Sequence, residues 1–349
     1  MRKLTKPSTF SFDPVGLDHA RKVIEPALFW APRSFLDDLR ANLALNGVQA
    51  AVARRDPGPI FDWLQRLIQL QGISDSVAFA YADRHGTATW ADLIASLAVD
   101  PSCPKLQGHR HFNRCGYRKS AGTCAEPAHL SRCPLPVLHL RKGALNQASY
   151  SLALFIRDMC AGDVVGWLDA QLAGADLGAA ATYTASGLRA AVVAPLTAVH
   201  GVGAKLWSMA LADLLLAGDP GRPRWVAAGA RMIAIDTLVH GFLHRTGTLR
   251  RCRSEHVYGP ACYADGGCAD IIEAVAVKID AREFNPDFPA TFPRFVQHAI
   301  WRFCAAGVLD ICNGVRIDDR APCRQRLCPT GPNCDRLPLR PEKVLVTQP

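Results

Sequence analysis

Apolar residues in this chain recur at steps of three and four, not two. Phe35, Leu36, Leu39 and Leu43 form one such set, and Trp63, Leu64, Leu67 and Ile68 another. Leu152, Leu154 and Phe155, then Leu211, Leu214 and Leu215, then Phe295, Ile300 and Phe303 continue the pattern. Each set lays an apolar stripe along a helix of 3.6 residues per turn. Alternating runs that could form a half-buried strand are scarce, so the spacing predicts an all-α protein. With 349 residues, 49% of them hydrophobic, the chain can bury a full core and fill two or three units. Residues 1–60 read as an N-terminal helical extension ending in a turn at Asp56-Pro57-Gly58-Pro59. Residues 61–100 and 143–250 read as two parts of a helical core. Residues 251–349 read as a C-terminal helical region with an extended, proline-containing end.

Between the two core parts, residues 101–142 break the helical pattern. They carry Cys103, Cys115, Cys124 and Cys133, together with His109, His111, His129 and His139, and eight Lys or Arg against the single acid Glu126. Too few apolar residues are present for a separate core. A metal cross-link, with zinc the candidate, would order the segment. The alternative is a surface loop with scattered cysteines. Arg114, Arg118 and Lys119 around Tyr117 suit contact with a nucleic-acid backbone and its bases. Further on, Cys252, His256, Cys262 and Cys268 have ligand chemistry for zinc or iron, although the glycine-rich loop that holds them could carry cysteines for other reasons. Cys160, alone on a helical run, reads as packing.

Val199-His200-Gly201-Val202-Gly203-Ala204-Lys205 precedes the helical run of Leu206, Met209, Ala210 and Leu214. Such a turn aims backbone N–H groups at a phosphate and grips it without reading sequence. Lys205 falls on the first turn of the helix that follows. Asp236 lies 31 positions later in the apolar run Ile233-Ala234-Ile235-Asp236-Thr237-Leu238-Val239. An acid placed there is costly unless paired or used. It can also cap a helix spanning Thr237 to Arg245.

Gly201-Val202-Gly203, Lys205 and Asp236-Thr237 together resemble the helix-hairpin-helix DNA glycosylase superfamily, which includes endonuclease III and the adenine glycosylases. The segment from Phe61-Asp62-Trp63-Leu64 to Gln71-Gly72-Ile73 is similar to the family's opening core helix and glutamine turn. The resemblance implies that fold, with Gly201, Val202 and Gly203 on the DNA backbone and Gln71 filling the gap left by a flipped base. It implies Lys205 as a nucleophile at C1′, partly desolvated or close to other cations, and Asp236 as the catalytic carboxylate. Members of the endonuclease III branch also end in four cysteines that hold a [4Fe–4S] cluster. Here the matching set is Cys312, Cys323, Cys328 and Cys334, spaced C-x10-C-x4-C-x5-C where the family has C-x6-C-x2-C-x5-C. Structural zinc remains open for that set, and Cys304 could replace one member. The implied function is base-excision repair, with or without lyase activity at abasic sites. Two alternatives stand beside it: a DNA-binding iron–sulfur protein of the same fold without excision activity, and a metal-dependent redox or interaction protein.

A net charge of +9 favours a polyanionic partner, here double-stranded DNA. The first residues, Met1-Arg2-Lys3-Leu4-Thr5-Lys6-Pro7, lead into polar sequence rather than the apolar region of a secretion signal. No stretch has the apolar length of a membrane span. Thirteen cysteines without an export signal read as thiols or metal ligands rather than disulfides. The expectation is therefore a cytoplasmic monomer, nucleoid-associated if bacterial, without a membrane partner.

Overall fold

The apolar stripes become helices: α2 (Phe35–Leu45), α4 (Pro57–Ile68), α8 (Gly143–Met159), α11 (Ala204–Ala217) and α16 (Pro293–Cys304). The structure, a computed structural model, describes residues 11–340 except 72, 74, 100–102, 127–132, 137, 139, 141, 142, 177–184 and 314–317. His129 and His139 of the sequence reading lie outside the described residues. Among those described there is no β-strand, only an isolated antiparallel bridge between Arg118 and Thr123. The protein is all-α. No helix among the described residues is long and apolar enough to cross a membrane.

The turn expected at Asp56-Pro57-Gly58-Pro59 is instead the first turn of α4. Asp56 accepts the Gly58 N–H at 3.0 Å as N-cap. Pro57 takes the first helical position, where its missing N–H would have had no partner.

Packing divides the chain into two units, residues 38–228 and residues 1–37 with 229–349. In the first, α4 buries Ile60, Phe61, Leu64 and Ile68 and packs on α3 (Val48–Arg54), α6 (Trp90–Ala98), α8 and α11. Each such buried side chain contributes roughly 1.5–3 kcal/mol. A capping box of Thr89 and Asp92 starts α6, and the Trp90 N–H donates to Asp62 at 2.7 Å, tying α6 to α4. α9 (Val164–Asp176) packs on α10 (Ala185–Leu196), which packs on α11.

In the second unit, α1 (Pro14–Leu28) buries Ala20, Val23, Ile24, Ala27 and Leu28 and packs on α14 (Thr248–Arg251), α15 (Cys268–Ala276) and α16. The N-terminal segment is thus helical but split between the units, because the apolar face of α1 is covered by C-terminal helices. A Cβ at Gly16 would come within 2.4 Å of the Arg251 carbonyl oxygen, so glycine sets how closely α1 meets α14.

The C-terminal loop is stapled beneath α13 (Thr237–Arg245) and α14. The Leu337 N–H donates to the Arg245 carbonyl at 2.8 Å and the Asp335 N–H to that of Thr246 at 3.2 Å. The Asp335 carboxylate accepts from Arg250 at 2.9 Å and from Arg251 at 2.7 Å. Those two guanidinium groups, Arg251 first, hold its carboxyl below the ordinary range. Gly247, with φ of +82°, leaves room for that carboxylate, since a Cβ there would lie 1.9 Å from Asp335 Oδ2. Gly247→Ala therefore combines an unfavourable left-handed conformation with a collision. It should lower unfolding free energy by about 2 kcal/mol or more; an unchanged urea midpoint would show that the loop is not held as described.

Candidate functional site

α10 and α11 are joined by the Thr197–Gly203 turn. Gly201 has φ of +74° and Gly203 is the N-cap of α11. The Leu206 N–H donates to the Gly203 carbonyl at 3.1 Å and the Val202 N–H to that of Val199 at 3.3 Å. The amides of Gly201, Gly203, Ala204 and Lys205 have no hydrogen-bond partner among the described residues. Val202 is buried as the anchor of the turn, while Gly201, Gly203 and Lys205 are exposed. The turn therefore presents donors and a cation to solvent. The expected desolvation of Lys205 within its own surroundings is not found, because its position on the outer first turn of α11 leaves it open to water. Gln71 is half-buried just beyond α4 in the same unit.

The Cys/His-rich insertion lies beside this turn. Asn113 lines the shallow depression formed by Thr197 to Gly203, and the Phe112 ring meets His200 edge-on at 6.4 Å. Burial lowers the His200 pKa, and the nearby Lys119 charge lowers it further. The insertion's short helix α7 (His109–Phe112) docks on α8, with the His109 N–H donating to Asp158 at 2.7 Å. Its four cysteines lie near enough for the charge of one to act on another, but among the described residues they do not bring their ligand atoms as close together as His240, His256, Cys262 and Cys268 do. Burial raises the Cys103 thiol and pushes Cys115 up to about 11, and in each case charge on the other members adds to the rise. Each sulfur has a donor of its own. Cys103 accepts from the Lys105 amide, Cys115 from that of Tyr117, Cys124 from that of Glu126 at 3.3 Å, and Cys133 from Gln147 Nε2 at 3.4 Å. At Cys103 and Cys115 these amide bonds oppose, without outweighing, the rise that burial causes.

Asp236 lies in the other unit. It caps α13, whose span is the Thr237–Arg245 read from the sequence, and its Oδ1 accepts the Val239 N–H at 2.9 Å. Its other carboxylate oxygen has no hydrogen-bond partner among the described residues. Cap and free oxygen are compatible roles of one side chain. The Tyr263 hydroxyl accepts the preceding Ile235 N–H at 2.8 Å. Burial raises the Tyr258 pKa, and the Asp236 charge adds to it.

At the C-terminus, Cys312, Cys323, Cys328 and Cys334 form a second thiol group. Burial pushes Cys334 up to about 11, with charge on the other three adding to the effect. Cys304, fully buried at the end of α16, donates its S–H to Cys312, which lowers Cys312 and, together with burial, raises Cys304. The fifth thiol is therefore part of the group. Thr330 Oγ1 lies 3.2 Å from Cys328 Sγ, and the Arg336 N–H donates to Cys334 Sγ at 3.4 Å.

The third group differs from its sequence reading. Ligand atoms of His240, His256, Cys262 and Cys268 all lie within 4.8 Å of one another, so this group could hold a metal ion. Cys252 is not among them. It closes α14 against α1, with its amide nitrogen 3.2 Å from where a Gly16 Cβ would stand. His240 takes its place because α13 carries it one turn beyond Asp236, toward the loop of Cys262. In sequence, its separation from His256 matched no short ligand clip. Cys262 is held low, chiefly by the Cys268 S–H that donates to it, and the same bond raises Cys268.

Comparison of the chain with protein-family models, curated proteins and solved structures returns no match.

Proposed function

We propose that this protein removes a damaged or mispaired base from double-stranded DNA. The observation that carries the reading is the Val199–Lys205 turn, where four unpartnered amides and one exposed cation meet at the start of a helix. Such a turn suits a phosphodiester, held through its backbone independently of sequence. A flipped nucleotide exposes C1′, and breaking its N-glycosidic bond develops positive charge on the sugar. Asp236, half-exposed with one uncommitted carboxylate oxygen, has the charge to stabilise that centre and to accept a proton from the attacking group. Gln71 would occupy the vacated stack. If Lys205 is the nucleophile, its neutral amine bonds to C1′ as the base leaves with the glycosidic electron pair, the amine gives up a proton, and breaking of the C1′–O4′ bond opens the sugar to a Schiff base that permits strand cleavage. The decisive assay is a panel of lesion-bearing duplexes scored separately for base release and for nicking. No release from any duplex would end the proposal.

A second reading, DNA binding without excision, is favoured by the exposure of Lys205, since a lysine open to solvent on this turn can reach a phosphate. Borohydride trapping separates the two, because only a Schiff base is captured.

A [4Fe–4S] cluster at the C-terminal thiols Cys312, Cys323, Cys328 and Cys334 is part of the proposal. Arg245, itself buried, pairs with Asp319 at 3.1 Å through Nη2, whereas its Nη1 is buried without a partner, and its charge lowers Cys312. A buried guanidinium with one nitrogen left unbonded, beside several thiols, suits a negatively charged thiolate cluster. When bound, the cluster would order this loop rather than perform chemistry. Of the arginines near these thiols, Arg320, Arg324 and Arg326, all exposed, and the half-buried Arg336 would then face the DNA backbone; Arg316 lies outside the described residues. Zinc is the ion proposed for the four thiols of the insertion, each of which accepts an N–H bond. Cys328→Ser should bleach anaerobically purified protein and weaken DNA binding, whereas Cys115→Ser should remove zinc without loss of colour. Colourless wild-type protein with zinc at the C-terminal site would replace the iron–sulfur assignment.

A further inference from the structure

We infer that His240, His256, Cys262 and Cys268 bind one structural zinc ion that staples the loop between α14 and α15 to α13. Zinc–sulfur and zinc–nitrogen bonds of ordinary length, set at a tetrahedral angle, place S and N about 3.6 Å apart. Cys268 Sγ lies 3.4 Å from His240 Nδ1 and 3.3 Å from His256 Nε2, and Cys262 Sγ lies 3.5 Å from His240 Nδ1. Three of the six edges of the polyhedron thus already have about that length, and the other three are within 4.8 Å.

Hydrogen bonding alone leaves this group poorly satisfied. A neutral imidazole has one donor and one acceptor nitrogen. His256 Nδ1 is 2.6 Å from the Ser254 carbonyl, to which it donates, so its lone pair sits on Nε2 and faces Cys268. This is also how an outer carbonyl orients a ligating histidine. His240 Nδ1 faces both sulfurs at once, and both sulfurs are fully buried. Lone pairs of two half-buried imidazoles converging on two buried sulfurs call for a cation. Two thiolates and two imidazoles at tetrahedral spacing select zinc, and four protein ligands leave no open position for substrate.

The glycines of the loop serve this convergence. Gly266 has φ of +74°, and a Cβ on Gly267 would come within 2.3 Å of the Ala261 carbonyl oxygen. Between them they let the Pro260–Tyr263 3-10 turn fold back so that Cys262 meets Cys268 at the start of α15. The same loop carries Tyr263, which accepts the Ile235 N–H, and Tyr258, whose ring lies 5.9 Å from that of His240. The ion would therefore hold the residues that flank Asp236. This last consequence rests on the excision reading; the zinc site itself does not.

Metal content of the full-length protein tests the site directly. His240→Gln and Cys262→Ser should each lose one equivalent of zinc per chain. Cys252→Ser, which alters a buried thiol outside the group, should lose none. Because either ligand variant could unfold, zinc X-ray absorption of the wild-type protein provides a second readout and should contain imidazole nitrogen scattering. Sulfur-only coordination, iron at this site, or the same zinc content in His240→Gln as in the wild type would overturn the inference. Absence of excision by a zinc-loaded protein would count against the enzymatic reading and leave the zinc site standing.

Discussion

Asp236→Asn should reduce base excision by at least about a hundredfold, the scale on which removal of one electrostatic stabiliser acts, while DNA affinity stays close to wild type. The substitution is informative because asparagine caps helices about as well as aspartate. The bond from the Val239 N–H to the cap of α13 can persist at its 2.9 Å, so the variant removes charge and spares the helix. Lys205→Gln separates the remaining steps. It should abolish borohydride trapping and strand nicking, because an amide cannot form the Schiff base. If base release persists in Lys205→Gln, water is the nucleophile and the lysine is a phosphate contact. Excision at the wild-type rate by Asp236→Asn would remove the carboxylate from the mechanism.

Acid should destabilise the protein through His298. On α16 its ring packs against Phe35 at a centroid separation of 4.6 Å and stacks on Trp301 at 5.7 Å. Burial pushes its pKa down to about 3, and the charges of Arg294 and Arg302 push in the same direction. The folded state thus binds a proton less readily than the unfolded chain, whose histidine titrates near 6.5. Stability from this group is fully present above about pH 6.5 and is lost as pH falls toward 3, because the unfolded state takes up the proton first. With the ring's residual exposure allowed for, the loss is on the order of 3 kcal/mol. Burial lowers His19 as well, outweighing the opposing bond of its Nε2 to the Thr246 carbonyl at 2.9 Å, so it adds in the same sense. Urea unfolding at stepped pH should show the decline, and His298→Phe should flatten it. An equally steep decline in that variant would place the acid sensitivity elsewhere.

Helices were legible because their cause is local. A 3.6-residue apolar repeat needs only neighbours along the chain, and it marked α2, α4, α8, α11 and α16. The polar residue before Thr237 likewise marked the start of α13. Misreadings arose where a local pattern has two solutions. Pro57-Gly58-Pro59 suits a turn as well as a helix start, and the packing of α4 on α6 and α8 selects the latter. Gly266 and Gly267 read as grounds against a metal, yet they allow Cys262 to reach Cys268.

By itself the sequence determined the all-α class, the tight turn before Lys205, the cap at Asp236 and the presence of three cysteine-rich groups, since each follows from residue type and short spacing. Tertiary structure alone decided which side chains meet. His240 rather than Cys252 completes the third group because the rotation of α13 turns one inward while the docking of α1 on α14 takes up the other. Cys304 joins Cys312 because α16 ends beside the C-terminal loop. Ligand sets depend on the direction of Cβ vectors from separate helices, and that direction is fixed by packing between elements, which spacing along a chain does not encode.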